Sequence, residues 1–408
     1  MDLVTYTIDT TRHLLTDEGF KRRHRASDKA FTRVRCLPFA VVLVLILRKG
    51  VKSLQNIVNE AMAWLTAEPV TASAFSQARY PLQHTAFIEL NQKAVVDGRY
   101  RERNFRTFWG FRVLAIDGSK LLLPDTDEVR EAFGTIPYSN GKTAEIQGER
   151  PYALASVLYD VRHRIALDAT LGRADAYAVD LALDPLAHTG PTDLLVMDRN
   201  YPSYRLLAEL TQRQRQFVIR CSAAAFTVAR RMFRGEGTDS QVVTLTPCPT
   251  QAPLMRQLDL PPALTVRFVR LRLSTGAWEV LVTSLGDAAA YPTADFLDLY
   301  HWRWGVETFY GVLKTRLDLE NFSGLGAEAV RQDFHATVYL TGLESILTET
   351  AQAQLDAKPT RHSQTVNRAV SFNAIKHHAL DLLWSDLDTQ PLIERLTTHQ
   401  FELSFCAG

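Results

Sequence analysis

The sequence predicts an α/β protein with a central sheet core that is interrupted by a β-rich insertion and flanked by helical regions at both ends. Between residues 110 and 222, short apolar runs that suit buried strands alternate with helical patterns. Residues 223–292 break this alternation and are rich in strand-forming residues, with turns at prolines and glycines. The 408 residues, 46% of them hydrophobic, can bury a large core and are expected to hold two or three domains.

The chain before this core is expected to be helical. Residues 37–47 form the longest apolar run, which is too short to span a bilayer and indicates a buried helix. Ser53 is a candidate N-cap of another helix, and residues 71–79 begin a further helix that carries Arg79. Short helices with basic residues near their starts suit a DNA-reading domain, but they suit a plain helical bundle equally well.

The first strand of the core leads to an aspartate. Residues 113–116 are a continuous apolar run, typical of a strand that is covered on both faces, and Asp117-Gly118-Ser119 follows as a turn signal. A carboxylate at the carboxyl end of a strand is a candidate ligand, because open α/β sheets collect their sites at that edge. The alternative is an aspartate that only shapes its turn.

A second apolar strand, residues 193–197, ends in Asp198. The elements around these two strands complete a recognisable order. Strands are expected at 152–161, 164–171 and 216–221, and helices at 174–188 and 204–214. The predicted order is that of a ribonuclease-H-like core: three strands, then a helix, a strand, a helix and a last strand.

Charge is distributed unevenly along the chain. Formal net charge is only +1, but residues 1–50 carry ten Lys and Arg against five acids, and residues 220–274 carry eight Arg against three acids. Two separate basic regions suit an extended polyanion, although ordinary surface charge explains them equally well. Within the second region, residues 265–273 alternate and include three arginines, which predicts a half-exposed strand with a basic side.

A second set of candidate residues lies on one predicted helix, residues 300–314. On a wheel of about 100° per residue, Tyr300, Arg303, Glu307 and Lys314 share an arc of about 60°. A solvated face with an Arg–Glu pair one turn apart explains this arc, and so does a polar site between buried aromatic residues. The neighbouring Trp302 and Trp304 are either core aromatics that brace this helix or a platform on which a flipped base stacks.

The spacing Tyr300-x2-Arg303-x3-Glu307-x6-Lys314 resembles the signature of bacterial insertion-sequence transposases of the DDE type, insertion-sequence-four group. That family carries an Asp-Asp-Glu triad on a ribonuclease-H-like core. Its first Asp stands in the same Asp-Gly-Ser context as Asp117. The residues after Asp198 resemble the family's Asp-Arg-Gly-Tyr-Pro-Ser, with Asn200 where Gly is usual; Asn is the non-glycine residue that best tolerates a left-handed turn.

The resemblance implies a function and a set of site residues. The protein would be a DNA transposase that cleaves the ends of its insertion sequence and joins them to target DNA. The catalytic and metal-binding residues would be Asp117, Asp198 and Glu307. The DNA-binding residues would be Tyr300, Arg303, Lys314, Trp302, Trp304 and Arg199. The cofactor would be two Mg²⁺ ions, for which Mn²⁺ is expected to substitute, and the partner would be double-stranded DNA, both element ends and target.

The expected organisation follows from these assignments. A helical DNA-binding region spans 1–105, the first part of the core 106–222, the β-rich insertion 223–292, the catalytic helix and the end of the core 293–350, and a C-terminal helical region 351–408. A homodimer is expected in the DNA complex. We expect a cytoplasmic, DNA-associated bacterial protein.

Several function classes find no support in the sequence. There is no glycine-rich phosphate loop followed by Lys-Ser/Thr, so no nucleotide cofactor is expected. The four cysteines lie far apart, which argues against a zinc knuckle or a disulfide framework, and no membrane segment is expected. Two alternatives to a transposase stay open: a non-catalytic DNA-binding protein derived from one, and a ribonuclease-H-like nuclease without strand transfer.

Overall fold

The computed structural model describes residues 1–33, 36–50, 52–102, 105–139, 146–357, 364–385, 388, 390–396 and 404–406. Within these ranges the protein is a mixed α/β structure that is built around one central mixed sheet. None of the described helices is both long and apolar enough to cross a membrane.

Helices fill the chain before the first strand. Those in the described ranges are α1 (Leu3–Thr16), α2 (Glu18–Arg23), α3 (Phe39–Leu47), α4 (Leu54–Trp64), α5 (Ala72–Arg79), α6 (Thr85–Leu90) and α7 (Asp97–Tyr100), with a π-helical turn at Asn91–Val96. The predicted cap is confirmed, since the Ser53 hydroxyl accepts the N–H of Asn56 at 3.3 Å. The apolar run forms α3, in which every residue is buried, as expected.

The central sheet has nine strands in the described chain. They are β1 (Arg112–Leu122), β2 (Thr135–Tyr138), β3 (Gly148–Asp160), β4 (Ile165–Arg173), β5 (Asp193–Met197), β6 (Gln216–Arg220), β7 (Ser240–Leu245), β8 (Leu264–Arg272) and β9 (Trp278–Thr283). The helices between them are α8 (Asp127–Phe133), α9 (Ala178–Leu183), which continues as a 3₁₀ turn at Asp184–His188, α10 (Tyr204–Gln212), α11 (Thr227–Phe233) and α12 (Ala252–Gln257).

The strand order places β1 in the interior of the sheet, between β3 and β5. The order is β2-β3-β1-β5-β6-β9-β8-β7, and β4 also pairs with β3. Strand β3 pairs antiparallel with both β1 and β4, whereas β5 runs parallel to β1 and β6 runs parallel to β5. Buried on both faces, β5 has five buried residues in succession, which is the pattern of a covered parallel strand.

The expectation that the first strand ends at Asp117 is wrong. Strand β1 continues to Leu122, so Asp117 lies within it. The reason is the length of β3, which pairs with β1 without interruption from Leu114↔Asp160 to Leu122↔Tyr152. The Asp-Gly-Ser sequence forms a turn only where no neighbouring strand continues the ladder. Here β3, which is remote in sequence, continues the ladder past Asp117.

The β-rich segment 223–292 does not stand apart from the sheet. Strand β9 pairs with β6, and β8 and β7 continue the same sheet beyond it. The prediction that residues 265–273, most of which lie in β8, have a basic side is wrong for two of the three arginines. Arg267 is fully buried and Arg270 is 8% exposed. The Arg270 guanidinium pairs with Asp239 at 2.7 Å, and Arg267 donates to the carbonyl of Tyr291 at 2.7 Å, so neither is free to form a basic surface.

The rest of the chain is mainly helical. Its elements are a 3₁₀ turn at Thr293–Asp295, α13 (Phe296–Trp302), α14 (Trp304–Gly311), a π-helical turn at Val312–Arg316, α15 (Ala327–Ala357), α16 (Arg368–His377), α17 (Ala379–Leu383) and α18 (Gln390–Arg395), with a small antiparallel pair of β10 (Gln364–Val366) and β11 (Ser404–Cys406). Helix α15 is buried along most of its length between α1, α3 and α6 on one side and β4 on the other.

A buried ionic contact joins the N-terminal helices to α15. Arg79 is 3% exposed, and its Nη2 donates to Oδ1 of Asp333 at 2.9 Å. Its Nε donates to Oε1 of Gln332 at 2.8 Å. The expectation that basic residues of these helices read DNA therefore does not hold for Arg79, whose side chain lies in the protein interior.

Candidate active site

The two predicted aspartates lie side by side at the end of the parallel ladder. The register of β1 and β5 runs from Arg112↔Asp193 to Ile116↔Met197. The next residue of each strand is Asp117 and Asp198. Because neighbouring strands lie about 4.8 Å apart, extending the register by one residue brings the two carboxylates next to each other. The sequence placed them 81 positions apart (198 − 117), and the sheet joins them.

Asp117 is surrounded by charged groups. Burial, together with the nearby charges of Asp198 and Glu307, raises the pKa of Asp117 to about 6, and the charge of Arg303 opposes this rise. A hydrogen bond from the Gly118 N–H to Oδ1, at 2.8 Å, also favours the ionised form. Three carboxylates and one guanidinium therefore share one electrostatic environment.

Asp198 is held by the residue in which this chain departs from the family motif. The backbone N–H of Asn200 donates to Oδ1 of Asp198 at 2.9 Å, and its side-chain Nδ2 donates to Oδ2 at 2.8 Å. Both carboxylate oxygens thus have a partner. Asn200 is absent from the described residues with positive φ, so the left-handed turn for which Asn was expected to substitute is not formed. The asparagine therefore holds Asp198 through both its backbone N–H and its side-chain amide, without a left-handed turn.

The predicted helix is interrupted twice, so its four polar residues do not form one straight stripe. It breaks at Arg303, between α13 and α14. There the hydrogen bonds join residues three apart, as in a 3₁₀ turn: Arg303 N to Tyr300 O, and Val306 N to Arg303 O. It then widens into the π-helical turn that contains Lys314. A wheel of constant pitch cannot foresee either change.

Arg303 and Glu307 form a close charged contact at the site. Nη2 of Arg303 donates to Oε1 of Glu307 at 2.6 Å. The Arg303 side chain is buried, 2% exposed, whereas that of Glu307 is 40% exposed. Nε and Nη1 of Arg303 lie buried without a hydrogen-bond partner, and so does the hydroxyl of Tyr300. The guanidinium lies over the rings of Trp304 and Tyr300, at 4.9 and 5.3 Å from their centroids.

Lys314 lies apart from this pair. Its Nζ donates to the carbonyl oxygen of Lys120 on β1 at 2.6 Å and lies 3.7 Å from Oε1 of Glu320. Glu320 in turn accepts the N–H of Leu122 at 3.1 Å. Lys314 therefore ties the π-helical turn to the far end of β1, with its side chain 30% exposed.

The two tryptophans differ in their surroundings. Trp302 is half-buried: it packs edge-to-face on Phe108 with 5.0 Å between centroids, and the Arg162 guanidinium lies 4.1 Å above its ring. Trp304 is 49% exposed. Arg199, which follows Asp198, is also exposed. Only the second tryptophan thus presents a surface on which a base could stack.

Sequence reasoning missed two buried phenols beside Asp117. The Tyr310 hydroxyl donates to the carbonyl oxygen of Asp117 at 2.9 Å. Tyr201, 3% exposed, has a pKa raised by burial and by the charges of Asp117 and Asp198. Tyr201 belongs to the Asp-Arg-x-Tyr-Pro-Ser sequence after Asp198, so this motif could have identified it as a residue of the site. Nothing in the sequence around Tyr310 distinguishes it from a core aromatic residue.

A third missed residue is Glu279, which β9 contributes. Its side chain is 4% exposed, and Oε1 lies 2.5 Å from Nε of Arg220 at the end of β6. Burial raises the pKa of Glu279, while the charges of Arg220, Arg303 and Arg199 lower it. The β-rich segment therefore places a buried carboxylate among the arginines of the site.

The described carboxylates do not form a closed ligand set. Among the residues that the structure describes, no three His, Cys, Asp or Glu side chains are arranged so that they could hold one metal ion. Asp117 and Asp198 are brought together, and Glu307 lies close enough to raise the pKa of Asp117. Its carboxylate, however, contacts Arg303.

Comparison with known proteins identifies one family. The profile of the transposase DDE domain matches residues 109–340, more than half of the chain. No curated protein matches the sequence significantly. Among solved structures, the cryo-EM structure of the piggyBac transposase synaptic complex with hairpin DNA is similar, with a TM-score of 0.44 and 10% identity, over 98% of this chain and 82% of that chain.

Proposed function

The chain belongs to the family of transposase DDE domains, and we propose that it cleaves the ends of an insertion sequence and joins them to target DNA by two-metal phosphoryl transfer. The observation that carries this proposal is the last rung of the parallel ladder, Ile116↔Met197, which sets Asp117 beside Asp198. Glu307 completes the proposed triad from the helix that packs on β1.

The strand order supports a ribonuclease-H-like core. Antiparallel β4, β3 and β1 are followed by parallel β5 and β6, in the spatial order β4-β3-β1-β5-β6. This is the arrangement that the predicted element order requires. The residues at Tyr300, Arg303, Glu307 and Lys314 support membership of the insertion-sequence-four group of bacterial elements.

The donor set fits hard divalent cations. Members of this family use divalent metals, and Mg²⁺ prefers carboxylate oxygens and keeps part of its water shell. Asp117 and Asp198 would hold the ions, joined by Glu307 once its carboxylate leaves Arg303. Two such ions supply an activated attacking oxygen and stabilise the leaving one. Burial raises the pKa of Asp117 most, and the charges of Asp198 and Glu307 add to it; bound cations would neutralise this gathered negative charge.

The cationic and aromatic side chains would hold the DNA. Two nitrogens of Arg303, Nε and Nη1, have no hydrogen-bond partner, and Arg199 is exposed beside Asp198. The Lys314 ammonium can exchange a backbone carbonyl for a phosphate oxygen. Tyr300 offers an unpaired hydroxyl to the DNA backbone. Trp304 offers the exposed ring for base stacking, and Trp302 braces the helix.

The proposed partners are the double-stranded element ends and target DNA, bound by a homodimer. The test uses the full-length protein with a plasmid that carries its gene and the flanking genomic DNA, in Mg²⁺ or Mn²⁺. Cleavage at the gene's flanks and strand transfer are expected for the native protein. Asp117→Asn, Asp198→Asn and Glu307→Gln should each lose cleavage but keep DNA binding in a mobility-shift assay. Asp97→Asn, a surface carboxylate that pairs with Lys93, is the matched control.

The other outcomes identify the alternatives. Metal-dependent cleavage without strand transfer would indicate a nuclease. Specific binding of the flanking DNA without cleavage would indicate a non-catalytic DNA-binding protein. Full cleavage by any of the three variants would remove that residue from the proposed triad.

A further inference from the structure

One buried hydroxyl connects the helix of Glu307 to the strand of Asp117. Tyr310 lies three residues after Glu307 on α14 and is 5% exposed. Its hydroxyl lies 2.9 Å from the carbonyl oxygen of Asp117 and 3.3 Å from that of Ala155 on β3. Burial raises the pKa of the Tyr310 phenol well above its usual value, and the charge of Asp117 adds to this, so the hydroxyl stays protonated and donates.

The contact lies where the sheet offers least support to β1. The ladder between β1 and β5 ends at Ile116↔Met197, so the backbone from Asp117 onward has lost its parallel neighbour. The following Gly118 lies against the Tyr201 hydroxyl: a Cβ there would be 3.4 Å from it and 3.4 Å from the Ala155 carbonyl oxygen. Phenols from two elements thus enclose the peptide that carries the Asp117 side chain.

Other contacts of α14 set its packing without reaching Asp117. Phe309 packs on Tyr159 of β3 with 4.8 Å between ring centroids, and Gly305 lies against Val161. These apolar contacts tolerate small sliding, because they have no direction. A hydrogen bond to one carbonyl does not, since its strength falls steeply with distance and angle. Within α14 the Tyr310 hydroxyl is therefore the directional contact that fixes the register on β1 at Asp117, whereas the bond from Lys314 to Lys120 comes from the following π-helical turn.

We propose that Tyr310 is a positioning residue: its hydroxyl sets the separation of Glu307 and Asp117 and so the affinity of the site for divalent metal. This proposal rests on the function proposed above. Residues three apart on a helix share a face, so a shift of the Tyr310 end moves Glu307 with it. Displacements of about 1 Å at a reaction centre reduce rates by as much as about 100-fold.

The test is Tyr310→Phe, which removes the hydroxyl and keeps the ring. Tyr339→Phe is the matched control, because Tyr339 is also fully buried and its hydroxyl bonds to Thr11 at 2.8 Å, away from the site. Mn²⁺ binding to the full-length protein without DNA is measured from the signal of free Mn²⁺ in electron paramagnetic resonance. Tyr310→Phe is expected to weaken Mn²⁺ binding about 10- to 100-fold, as losses of residues that orient metal ligands do.

The control separates positioning from stability. Both variants lose one buried hydrogen bond, so both should lower the melting temperature similarly, but Tyr339→Phe should bind Mn²⁺ as the native protein does. DNA affinity should be unchanged in both. If Tyr310→Phe retains native Mn²⁺ affinity and cleavage, the positioning role is wrong while the transposase proposal stands. If the native protein binds Mn²⁺ but never cleaves DNA, the transposase proposal fails, and the Mn²⁺ comparison still decides the role of Tyr310. A native protein that binds no Mn²⁺ overturns both.

Discussion

The guanidinium of Arg303 holds the carboxylate of Glu307 at 2.6 Å, within one turn of helix and beside Asp117. The pair joins a buried cation to a carboxylate that is 40% exposed. In this position Glu307 has two competing partners, the guanidinium and the metal ion that we propose at the aspartates. Arg303 likewise has two, Glu307 and the DNA phosphate that we propose for it.

Removing the Arg303 charge should release Glu307. Arg303→Met keeps an unbranched chain between the rings of Trp304 and Tyr300 but cannot bond to a carboxylate. Since such pairs contribute roughly 0–1 kcal/mol, Mn²⁺ should bind the DNA-free variant about two- to five-fold more tightly. Single-turnover cleavage should nevertheless be slower, because a phosphate contact is lost. The measurements are Mn²⁺ titration and quenched-flow cleavage. Unchanged Mn²⁺ affinity would show that Arg303 does not restrain Glu307.

The side chain of Asn200 should weaken metal binding at Asp198. Its Nδ2 donates a hydrogen bond to Oδ2 of Asp198 at 2.8 Å, and this oxygen is one that a metal ion would need. A hydrogen bond to a charged carboxylate contributes about 1.5–3 kcal/mol, so Asn200→Gly should tighten Mn²⁺ binding about ten- to a hundred-fold. Asn200→Ala separates side-chain from backbone effects, because it removes the amide but keeps a Cβ. Both variants should behave alike in Mn²⁺ titration, and a gain in the glycine variant alone would point to the backbone instead.

The two tryptophans should respond differently to truncation. Trp304→Ala should leave the melting temperature nearly unchanged and weaken binding of DNA with unpaired bases by about 1–3 kcal/mol, the contribution of one stacked base. Trp302→Ala should destabilise the fold by roughly 3 kcal/mol, because it removes a large ring packed on Phe108. Thermal melts and fluorescence anisotropy with a gapped duplex distinguish them. Equal effects on both readouts would contradict this division of roles.

Arg79 should be required for folding and not for DNA binding. Arg79→Ala leaves Asp333 buried without its partner, which costs roughly 3–5 kcal/mol. Arg22→Ala, a surface change in the same helical region, is the control and should be close to neutral. Urea unfolding measures both. For the same reason, removal of residues 1–105 should unfold the rest of the protein, so DNA recognition by this region has to be tested with surface substitutions.

A half-buried lysine should make stability depend on pH. Burial and the neighbouring charge of Lys49 lower the pKa of Lys376 from 10.5 to about 8. Since the folded-state pKa lies below that of the unfolded chain, the unfolded state binds the proton more tightly between these values. Stability should therefore rise as pH increases from about 8 to about 10.5, by up to about 3 kcal/mol, with the full penalty present below pH 8.

Replacing this lysine tests whether it causes the predicted rise of stability with pH. Lys376→Met should raise the free energy of unfolding at pH 7 and flatten its rise above pH 8. The surface variant Lys93→Met is the control, because Lys93 pairs with Asp97 and its pKa is shifted upward. Urea unfolding at a series of pH values is the measurement. If the free energy of unfolding of Lys376→Met still rises above pH 8, another group causes the pH dependence.

Local patterning was sufficient to predict most of the elements around the site. The apolar run before Asp198 predicts β5, because a strand covered on both faces needs apolar residues throughout. Ser53 predicts its helix start, since a cap depends only on the next few backbone N–H groups. The motif around Glu307 lies on helix for the same local reason, and its resemblance to the transposase family agrees with the domain match over residues 109–340.

Only the tertiary structure decided what those residues contact. Strand β1 runs past Asp117 because β3 pairs with it there, and Arg267, Arg270 and Arg79 are buried because remote segments supply their partners. The sequence by itself determined where strands, helices and candidate carboxylates stand along the chain, since these follow from neighbours a few residues away. Pairing and the burial of charge depend on groups far along the chain, so the contact from Tyr310 to Asp117 emerges only when the sheet and helix pack.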